Sequence, residues 1–386
     1  MGLWIESAHQ SLTETGGDVI RTFQSEEQFF AVVVSGLGIR DWGLEIARIA
    51  DEATSLLKQK TPLSKVVETI LGALPEGKHV SFSILQVLAG TRGNLVECDA
   101  PPLFMARGSE LVLLPVVEEE SHGRLIRQCE FSLQDGDHLA IVSEGYIRVK
   151  GWSRSWGWHD IAVSIRRLTE TRCDSHQLLD ALISSYWRLG RGARWDESPT
   201  PDTQSLVPVS ILTMFVRPLR TATVWSGPPA KRDVEEAVLE KLMDEPGARI
   251  ICGDTTAEIA ARLMGTRLEM EPRPEDGWME VPPVSRLRGR PDIERIDLIT
   301  EGLVTLSKAR DRIAGAQRAR DLPHKQDGAT RLAGVLLTAD KIRFLVGLAV
   351  NPAQATDVGV PLRRIVVEDL MDDLKARDKI VSVEYF

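Results

Sequence analysis

Three stretches place small, hydroxylated and acidic residues where apolar runs end. FFAVVV leads into Ser35-Gly36-Leu37-Gly38, LQDGDHLAIV leads into Ser143-Glu144-Gly145, and ARIIC leads into Gly253-Asp254-Thr255-Thr256. The last of these reads as a strand, a small-residue turn and a helix. Backbone amides after Gly253 and the hydroxyls of Thr255 and Thr256 could cradle an anion at a helix N-terminus. Asp254 in the same turn would repel that anion, and a capped helix with Asp254 or Thr255 as N-cap is the alternative. Ser35 reads as a turn residue rather than a nucleophile, because no histidine sits at an obvious partner position. The seven histidines show no HExxH or HxH spacing, and the four cysteines form no CxxC pair, which argues against a structural zinc site. GxxxxGK[ST] and GxGxxG are both missing, so neither a P-loop nor a dinucleotide fingerprint is present.

The elements that must position these residues follow from periodicity. FFAVVV predicts a strand, and Asp41 to Leu57 a helix with apolar spacing at Leu44, Ile46, Ala47, Ile49 and Ala50. SKVVETILGAL predicts a second helix with Ser64 as its cap. HVSFSILQVLAG, NLVECD, PLFMARG and ELVLLPVV, punctuated by Gly, Asn and Pro, predict an antiparallel meander. A helix over Ser175 to Leu189 and a strand in VPVSILTMFVRP close this part. TATVWSGPP reads as a linker or domain entry. Beyond it lie helices at Asp233–Met243 and Ala257–Met264, an Arg-rich region from Arg286 to Asp327, and strands in IRFLVGLAV and KIVSVEYF. The tryptophans Trp152, Trp156 and Trp158 read as cover over a core edge, or as an interaction surface. The Arg-rich region reads as a solvated face, or as a docking site for an acidic partner.

Composition bounds the function. The 386 residues carry a net charge of −9, with 43% hydrophobic and 27% charged residues, so a soluble two- or three-domain protein is expected. The acidic balance argues against general nucleic-acid binding. No apolar run approaches the length of a membrane span. MGLWIESAHQ has no basic stretch or apolar signal core, so a cytoplasmic location with reduced thiols is expected.

Gly17-Asp18 before a strand, the turn at Ser35-Gly36, the segment GDHLAIVSEG and the final strand VPVSILTMFVRP occur in an order that resembles the SpoIIE-like branch of the PPM-type metal-dependent serine/threonine phosphatases. Cys98-Asp99-Ala100-Pro101-Pro102 adds to the likeness, which spans roughly residues 1–218. The resemblance implies an α+β fold, an antiparallel β-sandwich flanked by helices, over residues 1–218, followed by a second, smaller α/β domain over 219–386. It also implies Mn²⁺ or Mg²⁺ as cofactor, held by carboxylates at strand ends, with a bridging water as nucleophile.

The chain departs from that pattern at its centre. The first turn lacks the bridging Asp, Glu144 stands where Asp is expected, and Val207-Pro208 replace an Asp-Asp pair. Asp18 and Glu144 are the metal-ligand candidates that remain, with Asp41, Glu45, Asp196 and Asp202 nearby in sequence. A turn role for Asp18 and a solvated strand-end role for Glu144 are the alternatives. No catalytic residue is assigned. The expected function is that of a pseudophosphatase, a regulatory protein binding a protein partner, with neither nucleic acid nor membrane as partner and a homodimer left open. The alternative is an active Mn/Mg-dependent phosphatase acting on a phosphoprotein. The turns at Gly253 and Thr300-Glu301-Gly302 resemble a C-terminal extension of forms associated with iron-hydrogenase gene clusters.

Overall fold

The computed structural model describes residues 2–12, 17–36, 43–74, 79–89, 91–147, 157–171, 173–191, 208–270, 284–288, 296–349 and 362–386. The chain divides into two compact units, Met1–Pro218 and Leu219–Phe386. In chain order the first unit contains β1 (Leu3–Ser11), β2 (Asp18–Gln24), β3 (Gln28–Gly36), α1 (Gly43–Lys58), α2 (Leu63–Ala73), β4 (Val80–Leu88), β5 (Arg92–Cys98), β6 (Phe104–Arg107), β7 (Glu110–Leu111), β8 (Val117–Ser121), β9 (Arg124–Ser132), β10 (Asp137–Val142), α3 (Glu144–Ile147), α4 (Trp158–Thr169), α5 (Ser175–Arg191) and β11 (Ser210–Pro218).

These strands form two antiparallel sheets, ordered β1-β11-β10-β6-β7 and β2-β3-β4-β5-β9-β8. β3 shows why they stack. Phe29, Ala31 and Val33 pack between the sheets against Leu139, Ile141, Leu212 and Met214. Phe30, Val32 and Val34 point the other way, onto Ile46, Ile49, Ala50, Ala53 and Leu57 of α1. A strand buried on both faces reads as a continuous apolar run, which FFAVVV is. The outer face of the other sheet is covered by α4 and α5 through Ile161, Ile165, Leu178 and Leu182. The result is a helix–sheet–sheet–helix sandwich, the α+β architecture that the sequence predicts.

Several local expectations change. The run predicted as one meander is split between the sheets, because after β5 the chain crosses at Asp99-Ala100-Pro101-Pro102 to begin β6 in the opposite sheet. Two adjacent prolines lack the N–H groups that a continuing ladder needs. Ser64 is no cap. Pro62 holds that position, with φ −54°, and Ser64 lies inside the first turn of α2. α4 was not predicted. Its first residue, Trp158, stacks on Phe104 with ring centroids 5.1 Å apart, while Trp152 and Trp156 lie outside the described residues.

The second unit contains β12 (Thr221–Ser226), α6 (Glu235–Asp244), β13 (Ala248–Cys252), α7 (Asp254–Met264), β14 (Arg267–Met270), β15 (Ser285–Arg288), β16 (Leu298–Thr300), α8 (Leu303–Ala314), α9 (Gly328–Thr338), β17 (Lys341–Val346), α10 (Leu362–Lys375) and β18 (Ile380–Tyr385). Its sheet runs β14-β15-β16-β13-β12-β17-β18, with β16, β13, β12, β17 and β18 parallel. Helices cover both faces, α8, α9 and α10 on one and α6 and α7 on the other. This is the α/β unit expected from the sequence, with KIVSVEYF in its sheet. TATVWS is not a linker but the central strand β12, with Trp225 fully buried. Gly253, with φ 129°, is the N-cap of α7, so Asp254, Thr255 and Thr256 form its first turn rather than preceding it. In the Arg-rich region, Arg312 pairs with Asp327 and Arg310 with Asp369 (2.9 Å), so these two cations are engaged inside the unit. No helix of the described residues is long and apolar enough to cross a membrane.

Candidate functional site

Gly17-Asp18, Ser35-Gly36, Ser143 and the start of the final strand meet at one end of the first unit's sandwich. Asp18 opens β2 and stands in register with Ser35 of β3. Gly36 N donates to Gly17 O at 2.8 Å and extends this pairing. From the other sheet, Ser143 follows β10 and clamps the entry to β11. Its amide donates to Ser210 O at 3.0 Å, its hydroxyl donates to Pro208 O at 3.0 Å, and the hydroxyl oxygen accepts from Ser210 N at 2.8 Å. Pro208 packs so tightly on Gly17 that a Cβ there would lie 2.6 Å from Pro208 Cγ. The absence of a side chain at Gly17 is therefore what lets the two sheets close over Asp18.

Asp18 is 9% exposed, and its neighbours are hydroxyls. Ser35 Oγ donates to Asp18 Oδ1. Burial pushes the Asp18 carboxyl above its usual range, opposed by the hydroxyls of Ser35, Ser210 and Ser143. Among the described residues only Ser35 makes a well-formed hydrogen bond to it, since the Ser143 proton goes to Pro208, and both Asp18 Oδ2 and Ser210 Oγ are buried without a partner.

Glu144 opens the short helix α3 and places its carboxylate 3.5 Å from His79 Nε2, just before β4. Among the described residues, no group of three or more His, Cys, Asp and Glu side chains could hold a metal ion. Asp41, Asp196, Asp202 and Val207 lie outside the described residues, and Glu45 forms an ion pair with Arg48 at 2.7 Å on α1. Among the described residues this end offers one desolvated carboxylate and one orphaned hydroxyl, with Pro208 where the resemblance places an Asp. A two-cation centre takes several carboxylates, which these described residues alone do not supply.

Sequence reasoning located Asp18, Ser35 and Glu144 but gave Ser143, Ser210 and His79 no role. Serines at strand ends carry no spacing signal, and only the stacking of two sheets brings Ser143 and Ser210 to Asp18. In the second unit, Gly253, Thr255 and Thr256 do sit at a helix N-terminus. Thr255 is exposed, whereas Thr256 is fully buried with its Oγ1 unpartnered.

No protein-family model matches the chain, and no curated protein matches it. Solved structures do resemble it, and PPM-type phosphatase domains, the family the sequence motifs resemble, are among them. The phosphatase domain of the cell fate determinant SpoIIE from Bacillus subtilis shares 13% identity over 56% of this chain and 93% of that one, with a TM-score of 0.41. The SiaA-PP2C domain of Pseudomonas aeruginosa shares 12% over 54% and 85%, with a TM-score of 0.43. RsbX, solved in complex with magnesium, shares 14% over 55% and 95%, with a TM-score of 0.38. At such identities the likeness concerns the fold. None of these comparisons supports the hydrogenase-cluster association.

Proposed function

We propose that the first unit is a degenerate SpoIIE-like PPM-type phosphatase domain that works as a regulatory, partner-binding protein in bacterial signalling rather than as a hydrolase. The observation that carries this reading is the state of Asp18. Its carboxylate is tied to Ser35 and surrounded by hydroxyls, while Pro208, where the resemblance places an Asp, packs on Gly17. Hydrolysis by this family's route needs cations that activate water and offset developing charge, and each effect is worth several kcal/mol in the transition state. A fold outlasts its site because the apolar pattern specifies the core and the chemistry is grafted on.

Titration with Mn²⁺ and Mg²⁺ in the presence of a phosphoserine peptide tests this. The expected result is no metal-dependent turnover and no metal-induced rise in the unfolding midpoint. Robust Mn²⁺-dependent hydrolysis, abolished by Asp18→Ala, would overturn it in favour of an active phosphatase. Restoring carboxylates should help only in combination, because ligands of one site act as a unit. The variant inserts Asp after Ser35 and adds Glu144→Asp, Val207→Asp and Pro208→Asp.

A further inference from the structure

The second unit carries unsatisfied chemistry of its own, independent of whether the first hydrolyses anything. Its parallel strands run in the order β16-β13-β12-β17-β18. From β12 the chain builds outward to β13 and β16, then returns to the other side of β12 to add β17 and β18. In open α/β sheets, ligands bind outside the carboxyl ends of the strands where the order reverses in this way. Here that point lies between the ends of β12 and β17, at Ser226-Gly227 and Val346-Gly347.

Three small polar residues stand in register at this edge, with Ser226 opposite Cys252 and Cys252 opposite Thr300. Ser226 is fully buried and its Oγ has no partner. Thr305, in the first turn of α8, is also fully buried with its Oγ1 unpartnered. Arg363, near the start of α10, lies directly over Gly227, where an added Cβ would meet its Nη1 at 2.0 Å. The guanidinium donates to Gly347 O at 3.3 Å and forms no ion pair with a carboxylate among the described residues. Burial lowers its affinity for a proton. A desolvated cation and a buried hydroxyl without a partner are each costly, and one anionic group at Ser226-Gly227 would satisfy both.

We propose that this edge binds a small anionic ligand, a phosphate or a carboxylate, whose charged group is held by the Arg363 guanidinium with the hydroxyl of Ser226. The rest of the ligand is constrained from the β16 side. There Asp254 and Glu301 lie close enough for the Asp254 charge to act on the Glu301 carboxyl. These acids repel a second negative charge and accept hydrogen bonds, so the far end of the ligand carries hydroxyl or amine donors. A hydroxylated phosphate or hydroxy acid fits this edge better than a dicarboxylate.

Calorimetric titration of the full chain with inorganic phosphate, glycerol phosphate, glycerate and succinate tests the site. Glycerol phosphate or glycerate should bind more tightly than succinate, and the tighter of the two tells a phosphate ligand from a carboxylate one. Arg363→Gln should weaken that binding roughly tenfold or more, as expected for loss of a charge-assisted pair. Ser226→Ala should weaken it several-fold while leaving the ligand-free unfolding midpoint unchanged or raised, because it removes an orphaned buried hydroxyl. Should Arg363→Gln not fold, Ser226→Ala carries the test alone. No binding of any probe at millimolar concentration, tightest binding by succinate, or binding untouched by these substitutions would overturn the proposal.

Discussion

Asp18 and its serines set the chemistry that the first unit can offer. The folded state holds the Asp18 proton more tightly than the unfolded chain does, because burial raises the carboxyl above its ordinary 3.8. Stability is therefore lost as pH rises from that value through the folded one. Asp18→Asn removes the buried charge, keeps an acceptor for Ser35 Oγ and brings a donor toward the orphaned Ser210 Oγ. The variant should be more stable than the parent at neutral pH by about 1 kcal/mol, a midpoint rise of roughly 2–4 °C. The gap should close only at about pH 3 and below, where the carboxyl is protonated in the folded and unfolded chain alike. Thermal unfolding across pH measures this. A destabilised Asn variant at neutral pH would mean that the charge on Asp18 has a partner worth keeping, as a working metal centre requires.

At the scale of elements, the crossover between the sheets is the feature most open to test. Glu97, at 1% exposure, ends β5 facing Arg127 of β9 at 3.0 Å. It accepts Leu103 N at 2.6 Å, while Arg127 also donates to Ala100 O. One ion pair thus fixes both ends of the Asp99–Leu103 passage. Burial pushes the Glu97 carboxyl up to about 7, against the opposing pull of Arg127 and the Leu103 amide. Arg127→Met would strand the carboxylate and should cost about 3–5 kcal/mol when the carboxyl is ionised. The loss should shrink at acidic pH, where Glu97 is neutral. Adding Glu97→Leu should recover much of it. Urea unfolding at two pH values reads these effects, and equal losses at both would remove the charge argument.

The same scale shows what the sequence made legible. β3 and α1 were readable because a continuous apolar run of β-branched and aromatic residues marks the one and a helical apolar spacing the other. α9 was not, since GATRLAGVLLT is apolar on almost every side and a buried helix cannot be told from a strand by period alone. Its real signal is Asp327, which caps the helix by accepting Thr330 N. α10 hides a helical stripe of Val367, Leu370, Met371 and Leu374 within a run of charges. β12 was read as a linker or a domain entry because Gly227-Pro228-Pro229 follows it; the second unit does begin just before it, at Leu219, but the segment is a central strand. Asp18 was legible by its place in a motif order. The serine cage around it was not, because it exists only once two sheets are stacked.

Over the whole molecule, each unit has cores of its own. The clusters of the first unit draw only on residues before Pro218, and those of the second only on residues after Leu219. Arg220 already belongs to the second unit, since its amide donates to Asp340 Oδ2 at 2.9 Å and its carbonyl accepts from Asp340 and Lys341. Arg217 belongs to the first through its pair with Glu6 at 2.9 Å. A cut between Pro218 and Leu219 therefore divides no described core. Both pieces, residues 1–218 and 219–386, fall within the size range of independent domains. Expressed separately, each should unfold in one cooperative transition, and glycerol phosphate or glycerate should raise the midpoint of the 219–386 fragment alone. Scanning calorimetry of the two fragments and the full chain checks this. A fragment without a cooperative transition would show that its fold depends on the other unit.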